Sequence, residues 1–454
     1  MVSEKELLED LNPEQREAAL YFDGPLLILA GAGSGKTRVL TYRVALLIGA
    51  RGVEPGRILA ITFTNKAAEE MRGRIFRLVG PRAGAVWVST FHAACSRILR
   101  REAERLGYRR NFVIYDDDDQ LRMISQVMRG MEIDIKRHPP RLVRALIEDA
   151  KNEMVDADAY RDKVKDDLTE VACGVYRAYQ EQLRRNNAMD FSDLLLNTIA
   201  VLELFPPVLE HYQERFSYIN VDEYQDTNPA QYRLVRLLSE EHRNLCVVGD
   251  DDQGIYSWRG ADLRNILDFE RDYPDARVVR LERNYRSTRN ILEAANHVVS
   301  RISGRREKTL WTEREEGEPI RCYFAPEGGD EAAFVALEIN RLLEEGGYCH
   351  RDFAIFYRTN AQSRPFEEVL LRSGVPYKIV GGFKFYERKE VKDVLAYLKL
   401  LLNPDDAVSL RRVINEPRRG IGDTTVAHLE AFARSQGVGL WEALNRAGEV
   451  PNLG

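Results

Sequence analysis

The sequence predicts an α/β protein in which helices flank parallel β-sheets. Two observations support this fold class. Short apolar runs alternate with amphipathic segments, which is the βαβ rhythm of a parallel sheet covered by helices. In addition, a loop of small residues, Ala30–Thr37, separates the first apolar run from a helical pattern, as expected where a strand of such a sheet leads into a helix.

The apolar runs predict strands in the following order. The first five lie at residues 25–29, 58–61, 86–88, 218–221 and 245–248. A helical pattern follows each of the first three strands. The first helix starts at Lys36, the second starts at about Lys66, and the third continues through Ile98. A second α/β stretch contains two more predicted strands, at residues 320–324 and 353–357.

The length of 454 residues predicts two to four compact units. Strand-like runs nearly vanish between residues 110 and 187, which predicts a helical insertion that interrupts the first sheet. Gly381-Gly382 marks a second boundary, after which helical patterns continue to the end. The predicted division is therefore 1–109 and 188–280 for the first α/β domain, 110–187 for its insertion, 281–380 for the second, incomplete α/β domain, and 381–454 for the start of a second helical insertion.

The composition excludes several classes of protein. Hydrophobic residues make up 44% and charged residues 30%, a soluble globular balance, and no apolar run is long enough to span a bilayer. The acidic N-terminus is unlike a secretory signal. Five scattered cysteines without a CxxC pair argue against a disulfide framework and favour the reducing cytoplasm. The histidines show no metal-ligand spacing.

The charge pattern bears on nucleic-acid binding. A net charge of −6 argues mildly against nonspecific coating of nucleic acid, but it permits a local basic channel. Arginines cluster at residues 97–110 and 411–419. Taken alone, such clusters are more simply explained as solvated helix faces.

The loop between the first strand and helix is typical of a phosphate-binding loop. Small residues let backbone N–H groups approach phosphates, and the helix N-terminus adds positive potential. Lys36 would reach the β- and γ-phosphates of a nucleotide, and Thr37 would bind Mg²⁺. Ala30 stands where the usual pattern has glycine, which negative φ would permit. The alternative is a glycine-rich turn without a ligand. The loop residues are Ala30, Gly31, Ala32, Gly33, Ser34, Gly35, Lys36 and Thr37.

Two carboxylates close the fourth predicted strand. Asp222 and Glu223 would face the crevice where parallel sheets bind ligands. Asp222 would hold Mg²⁺, and Glu223 would accept a proton from the attacking water, although such a pair also commonly caps the next helix. Gln15 follows Asn12 and Pro13 in a pattern that a helix capping box explains on its own.

Seven segments of this chain resemble, in order, the helicase motifs of superfamily 1, most closely those of the UvrD, PcrA and Rep group. The sequence Glu-Tyr-Gln-Asp after Asp222 is distinctive of that group, and the resemblance covers essentially the whole chain. The segments are Leu11–Ala18, Ala30–Thr37, Ile61–Met71, Ser89–His92, Val221–Asn228, Val248–Ala261 and Leu281–Ser287.

The resemblance implies two RecA-like domains, each with a helical insertion, and ATP bound between them. It implies that Gln15 contacts adenine, which Arg38 and Tyr285 sandwich. It further implies that Gln253 senses the γ-phosphate and that Arg286 is an arginine finger. Lys36, Glu223, Gln253 and Arg286 would thus be catalytic, with Mg²⁺ held by Thr37 and Asp222.

The resemblance also implies a track for single-stranded DNA. Aromatic side chains interleaved with cations suit sequence-tolerant stacking on bases. Without the resemblance, Phe63 and Phe91 would more often be core residues. Asp251 and Ser257 depart from residues common in close relatives, which are alanine and arginine. The DNA-contacting positions implied are Phe63, Thr64, Phe91, His92, Tyr256, Trp258, Arg259, Arg358 and Asn360.

The expected function is therefore an ATP-dependent DNA helicase that moves 3′-to-5′ on single-stranded DNA and acts at single-strand/duplex junctions in repair or replication. Its expected partners are DNA and DNA-repair proteins, with no membrane. Two motifs of the family's second domain are not found, which predicts a C-terminally incomplete chain. The alternatives are a fragment that binds ATP and single-stranded DNA without turnover, and a phosphate-loop ATPase of another class.

Overall fold

The computed structural model describes residues 4–302, 304–306, 308–380, 389–451 and 453. It forms two compact units, one comprising residues 1–317 with 396–454 and the other residues 318–395. These units do not test the finer domain boundaries given above, which stay predictions.

A six-stranded sheet dominates the first unit. Its strand order is β3-β2-β6-β7-β1-β8, and all neighbouring strands pair in parallel. The strands of the chain are β1 (Leu26–Ala30), β2 (Ile58–Thr62), β3 (Trp87–Thr90), β4 (Val113–Tyr115), β5 (Ala188–Asp190), β6 (Tyr218–Val221), β7 (Leu245–Gly249) and β8 (Arg277–Leu281). The five predicted strands of this region are thus confirmed.

The α-helices flank this sheet and build the remaining parts of the chain. They are α1 (Glu4–Glu9), α2 (Pro13–Leu20), α3 (Lys36–Gly49), α4 (Asn65–Val79), α5 (Phe91–Glu102), α6 (Asp117–Gly130), α7 (Pro140–Asn152), α8 (Asp167–Arg185), α9 (Phe191–Leu204), α10 (Pro206–Arg215), α11 (Pro229–Ser239), α12 (Arg264–Leu267), α13 (Phe269–Asp272), α14 (Arg289–Val299), α15 (Gly328–Glu345), α16 (Ser363–Arg372), α17 (Lys389–Leu402), α18 (Ala407–Val413), α19 (Asp423–Gln436) and α20 (Leu440–Asn445).

Each face of the sheet carries its own hydrophobic core. Alternate residues of β1 point to opposite faces, so Leu27 and Leu29 pack with α5, α9 and α11, whereas Leu26 and Ile28 pack with α3 and α4. Both faces being covered explains why these strands are continuous apolar runs in the sequence.

The region predicted as a helical insertion is mostly helical. It contains α6, α7 and α8 around one core, and β4 pairs in parallel with β5 at its base. The C-terminal part of the first unit packs against it. Asn403 is fully buried and donates to the backbone carbonyls of Asn186 (2.8 Å) and Asn187 (3.3 Å), while the Tyr115 hydroxyl donates to Asp406 (2.6 Å).

The two strands predicted at residues 320–324 and 353–357 are wrong, because neither segment is a strand in the second unit. A strand needs a hydrogen-bonded neighbour, and the described part of this unit provides none. Phe324 and Phe356 remain 92% and 93% exposed there. The ordered core of this unit is instead the packing of α15 against α16.

Among the described residues, no single helix is long and apolar enough to cross a membrane. The consecutive helices α9 and α10, bent by 108°, satisfy the length and composition criteria only as a pair.

Candidate functional site

The segments predicted to carry the chemistry meet at one edge of the sheet. Because all six strands are parallel, their carboxyl ends lie on the same side, where ligands of open α/β sheets bind. A predicted segment follows every one of these ends: Ala30–Thr37 after β1, Phe63 and Thr64 after β2, Phe91 and His92 after β3, Asp222 and Glu223 after β6, Asp250–Arg259 after β7, and Tyr285 and Arg286 after β8.

The loop after β1 has the geometry of a phosphate-binding loop. Ala30 is the last residue of β1 and therefore extended, which agrees with the expectation that alanine is tolerated there. Gly33 and Gly35 have φ of +69° and +94°, a region that favours glycine. Gly35 is the N-cap of α3 without a side-chain cap, so the N–H groups of the first helical turn are free to meet an anion.

Lys36 and the two carboxylates after β6 form one polar cluster. The Lys36 ammonium lies 2.9 Å from Glu223 Oε2, and the Thr37 hydroxyl lies 3.4 Å from Asp222 Oδ2. Gln225 also donates to Glu223 (2.9 Å). The predicted base is thus held by a lysine and an amide next to the phosphate loop.

Asp222 is almost fully buried. Burial raises its pKa to about 6; the charge of Glu223 adds to this rise, and that of Lys36 opposes it. Glu223 adopts left-handed backbone (φ +52°), which is unusual for a residue with a side chain and is a form of strain found at functional sites. The hydroxyl of Thr37 and the carboxylate of Asp222 are hard oxygen donors close together, so they fit the requirements of Mg²⁺.

The predicted adenine-contacting residues surround the other side of the loop. Gln15 is buried, donates to Ser34 O (2.9 Å), and completes the predicted capping box with Asn12. The Tyr285 backbone N–H donates to Gly33 O (3.0 Å), and its hydroxyl accepts from Asn12 (2.9 Å). Arg38 donates to Asp10 O (2.6 Å), and it faces solvent.

These elements enclose a cavity of about 220 Å³. Lys36, Arg38 and Arg286 make its lining rich in positive charge. Arg74, on α4, also reaches it and was missed in the sequence, where an arginine on an amphipathic helix gives no signal beyond a solvated face. The lining residues are Ala32, Gly33, Gly35, Lys36, Thr37, Arg38, Arg74, Glu223, Gln253 and Arg286.

Half-buried and exposed aromatic side chains, with an exposed arginine, continue along the same sheet edge after β2 and β7. The rings of Phe63 and Tyr256 are 4.7 Å apart, and those of Tyr256 and Trp258 6.3 Å. The Arg259 guanidinium lies over Trp258 at 4.6 Å. Trp258 is 68% exposed, and we call this surface of Phe63, Tyr256, Trp258 and Arg259 the aromatic ladder.

The remaining predicted DNA contacts are placed differently. Phe91 is only 4% exposed and belongs to the hydrophobic core, so its ring is unavailable for stacking on a base. His92 packs edge-to-face on Phe191, and burial lowers its pKa. Thr64 is the N-cap of α4. Arg358 and Asn360 are exposed residues of the second unit.

Comparisons with known proteins agree with this geometry. Residues 11–274 match the UvrD/REP helicase N-terminal domain, and residues 279–449 match the UvrD-like helicase C-terminal domain. The chain is 54% identical to the ATP-dependent DNA helicase UvrD1 of Mycobacterium tuberculosis over 99% of this chain, and 51% identical to the ATP-dependent DNA helicase PcrA of Staphylococcus aureus over 97%. It spans about 60% of the length of these relatives. The chain belongs to the UvrD/REP helicase family.

Proposed function

We propose that this chain is the motor part of an ATP-dependent DNA helicase that moves 3′-to-5′ on single-stranded DNA. The observation that carries the proposal is the convergence of Lys36, Glu223 and Arg286 on one cavity, at the sheet edge that also bears the aromatic ladder. The relatives named above are ATP-dependent DNA helicases, which supports the reaction class. The polarity rests on family resemblance.

ATP would place its phosphates in the positively charged cavity. Lys36 and the backbone of the loop would hold the β- and γ-phosphates, and Arg286 would stabilise charge on the transferring phosphoryl group. Adenine would lie beside Tyr285, Arg38 and Gln15. Thr37 and Asp222 would hold Mg²⁺, which neutralises phosphate charge when bound.

Nucleotide binding would also activate the base. Lys36 pairs with Glu223 in the structure (2.9 Å), and a γ-phosphate would compete for that ammonium. Once Lys36 turns to the phosphates, Glu223 would keep the Gln225 amide (2.9 Å) and could accept the proton of the attacking water. Gln253, on the cavity wall, would contact the γ-phosphate.

Single-stranded DNA would bind on the aromatic ladder. Exposed rings next to a guanidinium stack on bases without regard to sequence. Thr64 and His92, after β2 and β3, would contact DNA beside this surface. Arg358 and Asn360 are the positions of the second unit that would contact DNA. Action at single-strand/duplex junctions in DNA repair or replication, in the cytoplasm and with DNA-repair proteins as partners, completes the proposal.

Binding of ATP and single-stranded DNA without turnover is the second candidate. It is favoured by the absence of strands at residues 320–324 and 353–357 among the described residues, because a second RecA-like domain requires a sheet to present its catalytic groups.

The deciding experiment measures ATP hydrolysis by this chain with and without single-stranded DNA. DNA-stimulated turnover should fall at least about a hundredfold in Glu223→Gln, because the general base is lost while the shape of the cavity is kept. Glu210→Gln, an exposed change on α10, should have no effect. Absence of turnover in the parent chain, with both ligands bound, would establish the second candidate instead.

A further inference from the structure

A buried lysine outside the cavity is surrounded by three consecutive carboxylates. Lys308 is 8% exposed, and its ammonium lies 2.7 Å from Asp250 and 2.9 Å from Asp252, with Asp251 also in contact. Arg305 adds two hydrogen bonds to Asp252, of 2.9 and 2.8 Å. Burial lowers the pKa of Lys308, but hydrogen bonds to the three aspartates and the charge of Asp250 outweigh it and leave the pKa raised. The ammonium therefore stays charged.

The same contacts argue against a metal ion between these carboxylates. Their oxygens lie within 4.8 Å of one another, close enough for a cation. However, the Lys308 ammonium and the Arg305 guanidinium already supply the positive charge. A different role for this cluster follows from what its first aspartate contacts.

Asp250 connects Lys308 to the cavity. One of its carboxylate oxygens receives the Lys308 ammonium, and the other accepts a hydrogen bond from the Gln253 amide. The Asp250 backbone N–H donates to Gln225 (3.0 Å), whose own amide holds Glu223 (2.9 Å). Fixing the Asp250 carboxylate therefore also fixes Gln253, the side chain proposed above to contact the γ-phosphate.

We propose that Lys308 is a positioning residue for nucleotide hydrolysis, which holds Asp250 and through it orients the Gln253 amide toward the γ-phosphate. The inference rests on the function proposed above. Without the ammonium, the Asp250 carboxylate keeps the Asp252 backbone N–H on Oδ1 (3.1 Å) but loses its charged partner and is repelled by Asp251 and Asp252, so the Gln253 amide loses its defined orientation. Asp251 gives Lys308 a third carboxylate.

The test compares the affinity for mant-ADP with that for mant-ADP plus beryllium fluoride, which mimics the γ-phosphate. Tighter binding with beryllium fluoride is expected for the parent chain. Lys308→Met and Gln253→Ala should each reduce this preference about tenfold, since each removes the oriented hydrogen bond, while affinity for mant-ADP alone stays constant. The double variant should lose no more than either single one. Arg306→Met is the matched control, because its side chain binds Glu270 and Leu267 O rather than Asp250.

Lys308→Met leaves three buried carboxylates without their ammonium. The substitution is therefore also made together with Asp251→Ala, which removes one of these carboxylates. Thermal unfolding checks that each variant is folded. Multiplicative loss in the double variant, equal weakening of both nucleotide forms, or no effect of Lys308→Met would overturn the positioning role while leaving the proposed function intact. If Gln253→Ala itself kept the full preference, the sensor role of Gln253 would fail, and the Lys308 proposal with it.

Discussion

Gly33 illustrates how strictly the phosphate loop constrains a single residue. Its φ is +69°, and a Cβ there would lie 2.6 Å from Asn284 Nδ2 and 2.8 Å from Arg286 Cβ. Gly33→Ala would therefore strain the backbone by about 1–2 kcal/mol and displace Asn284, which donates to Ala32 O (2.6 Å). Affinity for mant-ADP, measured by fluorescence titration, should fall at least about tenfold.

Gly73→Ala is the matched control for that substitution. Gly73 lies within α4, and a Cβ at this position would meet no neighbouring element within 4 Å among the described residues. Alanine there should leave nucleotide affinity unchanged and raise the free energy of unfolding by about 0.5–1 kcal/mol. Equal nucleotide affinity of the two variants would contradict this geometry of the loop.

At this scale the sequence predicted those residues whose chemistry depends on local spacing. Lys36, Thr37, Asp222 and Glu223 come together as expected because the loop that leads to α3 follows β1 and the two carboxylates follow β6, in one parallel sheet. Arg74 could not be predicted, because its place in the cavity depends on how α4 packs.

At the scale of elements, the aromatic ladder should carry most of the affinity for single-stranded DNA. Trp258 is 68% exposed with Arg259 over its ring, so Trp258→Ala should cost about 1–3 kcal/mol of binding, which fluorescence anisotropy with labelled oligo-dT would measure. Because tryptophan is uncharged, the salt dependence of binding should stay the same. Trp441→Ala, on α20, is the control, and an equal loss in that variant would disprove the ladder's role.

The strands show where sequence patterns suffice and where they do not. Strands covered on both faces are continuous apolar runs, so β1, β2, β6 and β7 were predictable. The edge strand β8 was missed because it contains Arg277 and Arg280, which make its sequence unlike a continuous apolar run. Residues 320–324 show the opposite error, a strand that was predicted but does not form. Their sequence suits a strand, but strand formation also depends on a neighbouring strand that the local sequence does not specify.

At the scale of the whole molecule, the two units should differ in stability. Among its described residues, the second unit has a core of six buried residues from α15, α16 and the following turn, whereas the first has an extensive core on each face of its sheet. Stability scales with buried apolar area. We therefore expect two urea transitions, of which the first should abolish hydrogen-exchange protection in residues 328–345 and 363–372 only.

A pair of phenylalanine substitutions assigns each transition to its unit. Phe366 is 8% exposed in the core of the second unit, and Phe269 is fully buried in that of the first. Replacing either with alanine should cost about 3–5 kcal/mol, because each removes a buried ring and leaves a cavity. Phe366→Ala should move only the first transition to lower urea, and Phe269→Ala only the second. Movement of both transitions by either variant would show that the units unfold cooperatively. That result would contradict the prediction that the two units differ in stability.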